Sequence, residues 1–267
     1  MAISDHELET LVKITGAFEN SGKPYEGVSG DFDGQGISCG VLQWNIGQGS
    51  LQPLVKAVGR PHVLAAMPKY GAQMWTACGS SISAGLGIVR SWQKKHVLAG
   101  IAKKELAMLM GSSLMVAEQN AAIRTTGEAA EKMCEQWVHD RGAVVRTLQE
   151  LCWFFDLVTQ NSSLKGLRFS DVQAFKAAAA PGGPDDLVVD WLANTDSKYA
   201  GKEDCHKNAV LWSGKAKGLP LDLLILSYLR SQKSKLTWRG DVLNRKGSLA
   251  LGSGWVHKQL FDFTKDF

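Results

Sequence analysis

Two carboxylates carry the most chemistry in this chain. Glu19 closes a run of helical character, and Asp33 follows fourteen residues later inside Asp33-Gly34-Gln35-Gly36. Hydrolysis of a glycosidic bond needs one protonated carboxyl beside the leaving oxygen and one ionised carboxylate across the sugar. Glu19 follows the apolar Phe18 and faces a glycine-rich stretch, where partial burial would raise its pKa and suit it to general acid work. Asp33 lies among glycines that permit tight turns and close approach of a sugar ring, and solvation there keeps it ionised. Ser38, on the strand expected next, is placed to orient a water. Each feature also has an ordinary alternative: a glutamate at a helix end is usually solvated surface, and Asp-Gly is first of all a turn.

The elements that must position these residues are mostly helical. Leu8, Leu11, Val12, Ile14 and Phe18 share one face of a first helix, with Ser4 as N-cap and Glu7 completing a capping box. From Asn20 to Gly49 the chain holds eight of its 28 glycines, which predicts turns and short strands. Helices are expected at Leu51–Val58, Ala99–Met110, Leu114–Arg124, Glu128–His139, Asp185–Ala193 and Leu221–Ser231, with a central buried helix over Val144–Val158. Ala177–Pro184 (AAAAPGGP) is a breaker and the best candidate for a turn between lobes. Asn194–Asn208 is expected to be a polar loop, and the C-terminus a Gly-containing loop with aromatics.

Composition narrows the class. With 267 residues, 45% hydrophobic and 21% charged, the chain can bury a sizeable core and has the balance of a soluble globular protein. The formal charge of +4 is too mild to argue for nucleic acid, and the basic residues do not interleave with aromatics. The densest basic stretch, Arg230 to Arg245 with Lys233, Lys235 and Arg239, is expected to be a solvated helix end and loop. The mild positive balance suits an anionic polymer. The five cysteines are odd in number and form no CxxC pair, so a reducing compartment and buried free thiols are expected. The first residues form no secretory signal, and no run of about 18 apolar residues predicts a membrane span. Asp31-x-Asp33-x-Gln35-Gly36 copies half of an EF-hand loop, but Leu42 stands where the bidentate glutamate belongs, so neither calcium nor any other metal or cofactor is expected. Asp204-Cys205-His206 lacks a second ligand pair, and a satisfied histidine is expected there. Trp137, Trp153, Trp191, Trp212 and Trp238 are expected mostly in the core.

The segment Phe18–Leu54 carries a resemblance. Phe-Glu-Asn-Ser, then Asp-Gly-x-Gly-hydrophobic-Ser-x-Gly, then Gly-x-Gly, resembles the catalytic region of the family 46 chitosanases and the bacterial muramidase domains related to them. Gln43-Trp44 and Gln48-Gly49-Ser50-Leu51 bring it closer to the cell-wall-degrading branch. Two later stretches also resemble that branch: Phe154–Gly166 (FFDLVTQNSSLKG) and Asp241–Phe263 (DVLNRKGSLALGSGWVHKQLFDF). Together the three cover about a third of the chain. Two departures stand out: Ser162 replaces a glycine usual after the Gln-Asn turn, and Lys258 replaces one usual after Val256-His257.

The resemblance implies a mainly α, lysozyme-like or chitosanase-like two-lobed α+β fold with a small β-hairpin region near the N-terminus. The whole chain would then be one catalytic domain, with one lobe of about residues 1–60 plus the C-terminal helices and another of about 61–180. It implies an inverting hydrolase with Glu19 as general acid, Asp33 as general base and Ser38 helping to hold the water, the carboxyls about 6.5–9.5 Å apart. Tyr25, Gln43, Trp44, Asn45, Gln160 and Asn161 become candidates for sugar contact, although Trp44 has an equal alternative as a core anchor. The expected substrate is the peptidoglycan glycan strand, cut between N-acetylmuramic acid and N-acetylglucosamine. Chitosan, or a non-catalytic wall-binding role, is the alternative. Similar domains occur as antibacterial effectors of type VI secretion and as phage lytic enzymes. That setting implies synthesis in a bacterial cytoplasm, action in a target periplasm, a secretion-system carrier and an immunity protein, with no nucleic-acid or membrane partner.

Overall fold

The structure is a computed structural model that describes residues 3–19, 23–179 and 183–267, without the side chain of Glu19. It is mainly helical with small antiparallel sheets, as expected. By contacts the chain divides into two compact units, Ile3–Thr125 and Thr126–Phe267. The Ala177–Pro184 breaker lies inside the second unit.

In the first unit, α1 (Asp5–Glu19) begins at the predicted capping box. The Ser4 hydroxyl accepts from the Glu7 N–H at 3.3 Å, while the Glu7 carboxylate accepts from the Ser4 N–H at 2.9 Å. Its apolar face (Leu8, Leu11, Val12, Ile14 and Phe18) is buried as the spacing required. A 3-10 turn at Pro24–Glu26 leads into a three-stranded antiparallel sheet of β1 (Val28–Ser29), β2 (Ser38–Cys39) and β3 (Trp44–Asn45). Register sets Ser29 opposite Ser38 and Ser38 opposite Asn45. Then come α2 (Leu51–Val58), α3 (Arg60–Ala66), α4 (Gly71–Gly79) and α5 (Ile82–Arg90), followed by a hairpin of β4 (Gln93–Lys94) and β5 (Val97–Leu98), and α6 (Gly100–Met110).

The two helices predicted at Leu114–Arg124 and Glu128–His139 are one, α7 (Ser113–Asp140). Gly127 keeps its backbone N–H, and a single glycine costs only about 1 kcal/mol relative to alanine. The buried stripe Met115, Gln119, Ile123, Gly127, Ala130, Cys134 and Trp137 continues through it at spacings of three and four.

The second unit adds α8 (Leu148–Asn161), α9 (Phe169–Ala178), α10 (Pro184–Ala193), α11 (Lys202–Trp212), α12 (Gly218–Gln232) and α13 (Arg239–Leu251), then a hairpin of β6 (Ser253–Val256) and β7 (Gln259–Asp262). The central helix starts later than predicted, because Thr147 and Glu150 form a complete capping box. Val144 and Val145, before that cap, are 96% and 66% exposed rather than buried. The predicted polar loop Asn194–Asn208 is overturned in its second half. Asp204, Cys205, Asn208, Ala209 and Trp212 make a buried helical face that its two polar members, Asp204 and Asn208, had disguised. The C-terminal loop is likewise a helix and a hairpin. The basic stretch is not a solvated one throughout, since Arg230 and Arg245 are buried and Lys246 is 1% exposed. All five cysteines are free and buried. Trp137, Trp153 and Trp212 are core residues, whereas Trp238 is 54% exposed. No helix among the described residues is long and apolar enough to cross a membrane.

Candidate active site

Asp33 stands on the loop that joins β1 to β2. It is exposed, and its Oδ1 accepts from the Gln35 N–H at 3.1 Å, so the carboxylate closes its own turn. The glycines around it divide the labour. A side chain at Gly34 would meet nothing within 4 Å, which leaves the approach to Asp33 open. One at Gly36, whose φ is +86°, would meet Leu86 and Val89 of α5. Gly34 therefore serves access, and Gly36 lets the loop lie against the helix.

What fixes the loop is Asp31, two residues before. Its Oδ1 accepts from the Gly36 N–H at 2.7 Å, and its Oδ2 accepts from Arg90 Nε at 2.6 Å. Burial pushes the Asp31 carboxyl up, but the bonds from Arg90 and Gly36 and the positive charge of Arg90 outweigh it and hold the group below its ordinary value. Arg90 also donates to the Gly34 carbonyl at 3.0 Å. Gln93 completes the brace, accepting from the Asp31 N–H at 2.9 Å and donating to the Gly36 carbonyl at 2.7 Å. Both oxygens of Asp31 are thus engaged by protein donors. Among the described residues no group of three or more histidines, cysteines or carboxylates is set to hold a metal ion.

Glu19 is the last residue of α1 and lies in the same unit as Asp33; its side chain is outside the described residues. Ser38 is 2% exposed in β2, between Ser29 and Asn45. Gln43 takes a φ of +53° and is held locally, donating to the Gly40 carbonyl at 3.0 Å and accepting from the Ser29 hydroxyl at 3.3 Å. Asn45 is 5% exposed; its Oδ1 accepts from the Gln48 N–H at 2.8 Å and its Nδ2 donates to Gln48 Oε1 at 3.2 Å. Its amide latches the turn after β3. Trp44 is 8% exposed, and its ring lies where a side chain on Gly40 would meet it, which is how a core anchor sits. Tyr25 is half-buried and donates to Asn120 Oδ1 at 2.7 Å. Burial pushes its phenol up and the Glu9 charge adds to this, against the pull of the Asn120 bond.

Gln160 and Asn161 end α8 in the second unit, where the Asn161 carbonyl accepts from Arg230 at 3.3 Å. The structure therefore brings Asp33, Ser38, Gln43, Trp44 and Asn45 together around one small sheet, and engages most of their amides in holding it.

The residues that sequence reasoning passed over are Phe32, Arg90, Gln93, Lys95 and His96. With Asp31 and Gly34 they line a cleft of about 500 Å³ beside Asp33. Lys95 and His96 are the two loop residues of the β4–β5 hairpin, with φ of +49° and +65°. Hairpin turns of that kind are ordinarily signalled by Asn-Gly or Asp-Gly, so this one gave no composition cue.

Two positions in the second unit bear on the resemblance. Ser162 has φ +65° and Lys258 φ +68°, both in the left-handed region that favours glycine. These are the two places where this chain lacks a glycine that the resembled pattern carries. Asp204 holds the second of them, its carboxylate accepting from the Lys258 N–H at 2.9 Å, and His206 bonds the Thr195 carbonyl at 2.9 Å. Comparison of the chain with models of known protein families, with curated proteins and with solved structures found no match.

Proposed function

We propose that the protein is a peptidoglycan hydrolase of muramidase type, which cleaves the β-1,4 bond between N-acetylmuramic acid and N-acetylglucosamine with inversion. Glu19 donates the proton to the glycosidic oxygen and Asp33 activates the attacking water. The observation that carries this reading is the setting of Asp33. Asp33 is exposed on a loop that Asp31, Arg90 and Gln93 brace, and its chain neighbours Phe32 and Gly34 line a cleft. General base catalysis needs a solvated carboxylate in a fixed place, and such bracing keeps the cost of ordering it out of the reaction step. The lysozyme-like resemblance supplies the pairing with Glu19. The positive charge of the chain favours an anionic glycan over cationic chitosan.

A substrate panel tests the reading. The expected result is release of soluble fragments from purified peptidoglycan with little action on chitosan. Hydrolysis of chitosan without action on cell walls would overturn it in favour of a chitosanase, and binding to walls without hydrolysis in favour of a binding module. We place the enzyme among antibacterial effectors restrained by an immunity protein in the producing cell. Expression directed to the periplasm should then lyse the host while cytoplasmic expression is tolerated; unimpaired growth with periplasmic protein present would contradict that role.

A further inference from the structure

The cleft beside Asp33 carries an unusual set of side chains. Phe32, an aromatic side chain, is 74% exposed at its edge. Arg90, Lys95 and His96 line the same space, and the acid among the lining residues is Asp31. Asp31 has a side chain only 6% exposed and is already paired with Arg90, so the two charges cancel and Lys95 gives the cleft its positive sign. A cation in a concave wall focuses field on whatever enters.

The hairpin tip is held there at a cost. Neither Lys95 nor His96 is a glycine, and a side chain at positive φ stores backbone strain. Gly30 lies directly against the His96 carbonyl, where a side chain would collide with backbone. Gln93, at the start of the hairpin, is bonded to the braced loop on both sides. The tip is therefore locked to the loop that bears Asp33, and Phe32 and Gly34 are the neighbours of Asp33 in sequence.

We propose that Phe32, Arg90, Lys95 and His96 form a subsite for a carboxylate-bearing sugar, the ring covering Phe32 and the carboxylate meeting the cationic tip of the β4–β5 hairpin. The proposal rests on the glycanase reading only for the identity of the polymer. In peptidoglycan a carboxylate is available from two sources, the lactyl group of muramic acid and the stem peptide.

Calorimetric titration of the full chain tests the subsite, with Asp33→Asn in every protein so that turnover does not obscure binding. The probes are a peptide-free glycan oligomer with free lactyl groups, the same oligomer with stem peptides, and a neutral N-acetylglucosamine oligomer. Binding of the carboxylate-bearing oligomers should be tighter than that of the neutral one and should weaken as salt rises. Replacing Lys95 and His96 together by Gln should weaken it roughly fivefold and leave the neutral oligomer unchanged, the scale expected of exposed charge pairs. Preference for the peptide-free oligomer assigns the lactyl carboxylate, and preference for the peptide-bearing one assigns the stem. Equal affinity for charged and neutral oligomers, or no effect of the double substitution in a protein of unchanged melting temperature, would overturn the subsite. Tighter binding of the charged oligomers in these titrations, with no glycan hydrolysis by the wild type, would leave the subsite standing and remove the muramidase reading. One that digests peptidoglycan with the double substitution silent would do the reverse.

Discussion

Replacement of Asp33 by Asn, or of Glu19 by Gln, is expected to lower the rate of peptidoglycan solubilisation by about 10²–10⁴-fold each, the range for loss of a general base or acid. The Asp33 change is the cleaner of the two. The Asp33 Oδ1 accepts one local bond, from the Gln35 N–H, and Asn retains an oxygen able to accept it. The loop is fixed instead by Asp31, Arg90 and Gln93, none of which is altered. The turn should survive while the capacity to take a proton is lost. Melting curves should therefore superimpose on the wild type as activity falls. Activity within threefold of the wild type in either variant would place the chemistry elsewhere.

The largest effect on stability is expected at Asp156. This carboxylate is buried within the second unit, bonded to Arg245 Nε at 2.7 Å and to Lys246 Nζ at 2.8 Å. Burial pushes the Asp156 carboxyl up, but the two cations outweigh it and hold the group below its ordinary value. One anion thus stands between two buried cations. Asp156→Asn removes a carboxylate that both of them bond, and breaking a buried pair in this way costs about 3–5 kcal/mol. For a unit of this size the corresponding fall in melting temperature is roughly 6–20 °C. Burial pulls the Lys246 ammonium down to about 8 even with Asp156 present, so Lys246 sheds its proton more readily in the variant, and this relief sets the lower end of the range. The pH dependence has a definite sign. The folded value for Asp156 lies below the unfolded one, so its contribution is fully present above about pH 4 and is lost as pH falls through the folded value. Thermal unfolding followed by circular dichroism between pH 3 and 8 should show this acid limb in the wild type and a shallower one in Asp156→Asn. A melting temperature lowered by less than about 2 °C at pH 7 would show that the pair is not needed.

The elements that were legible in the sequence share one property: their positions are set by nearby residues. The first helix shows its cap and its apolar face in the residues from Ser4 to Phe18, and α2 and α12 follow from apolar spacing alone. The two hairpins that went unseen are set by distant residues. At the β6–β7 turn, His257 and Lys258 have φ of +50° and +68°. Asp204 of α11 accepts from the Lys258 N–H at 2.9 Å, and Asn208 of α11 accepts from the Trp255 N–H at 2.7 Å in the strand before the turn. The same two polar residues, lying on the buried face of α11, broke its hydrophobic period and made that helix resemble a loop. One arrangement therefore hid both elements.

The candidate site was half legible for the same reason. Asp33 and its glycines declare themselves by local turn chemistry. Arg90, Gln93, Lys95 and His96 reach the Asp33 loop from about sixty residues away, and their spacing from it follows no period. The amides of Gln43 and Asn45, expected to face a sugar, are engaged in holding their own turns. Phe32 and Lys95, which line the cleft, were not singled out by any motif.

The most direct test of the central claim is mass spectrometry of the new reducing ends released from purified peptidoglycan by the wild type and by Asp33→Asn. The account predicts fragments ending in N-acetylmuramic acid from the wild type and almost none from the variant. Fragments ending in N-acetylglucosamine, no release at all, or equal release by the variant would contradict it.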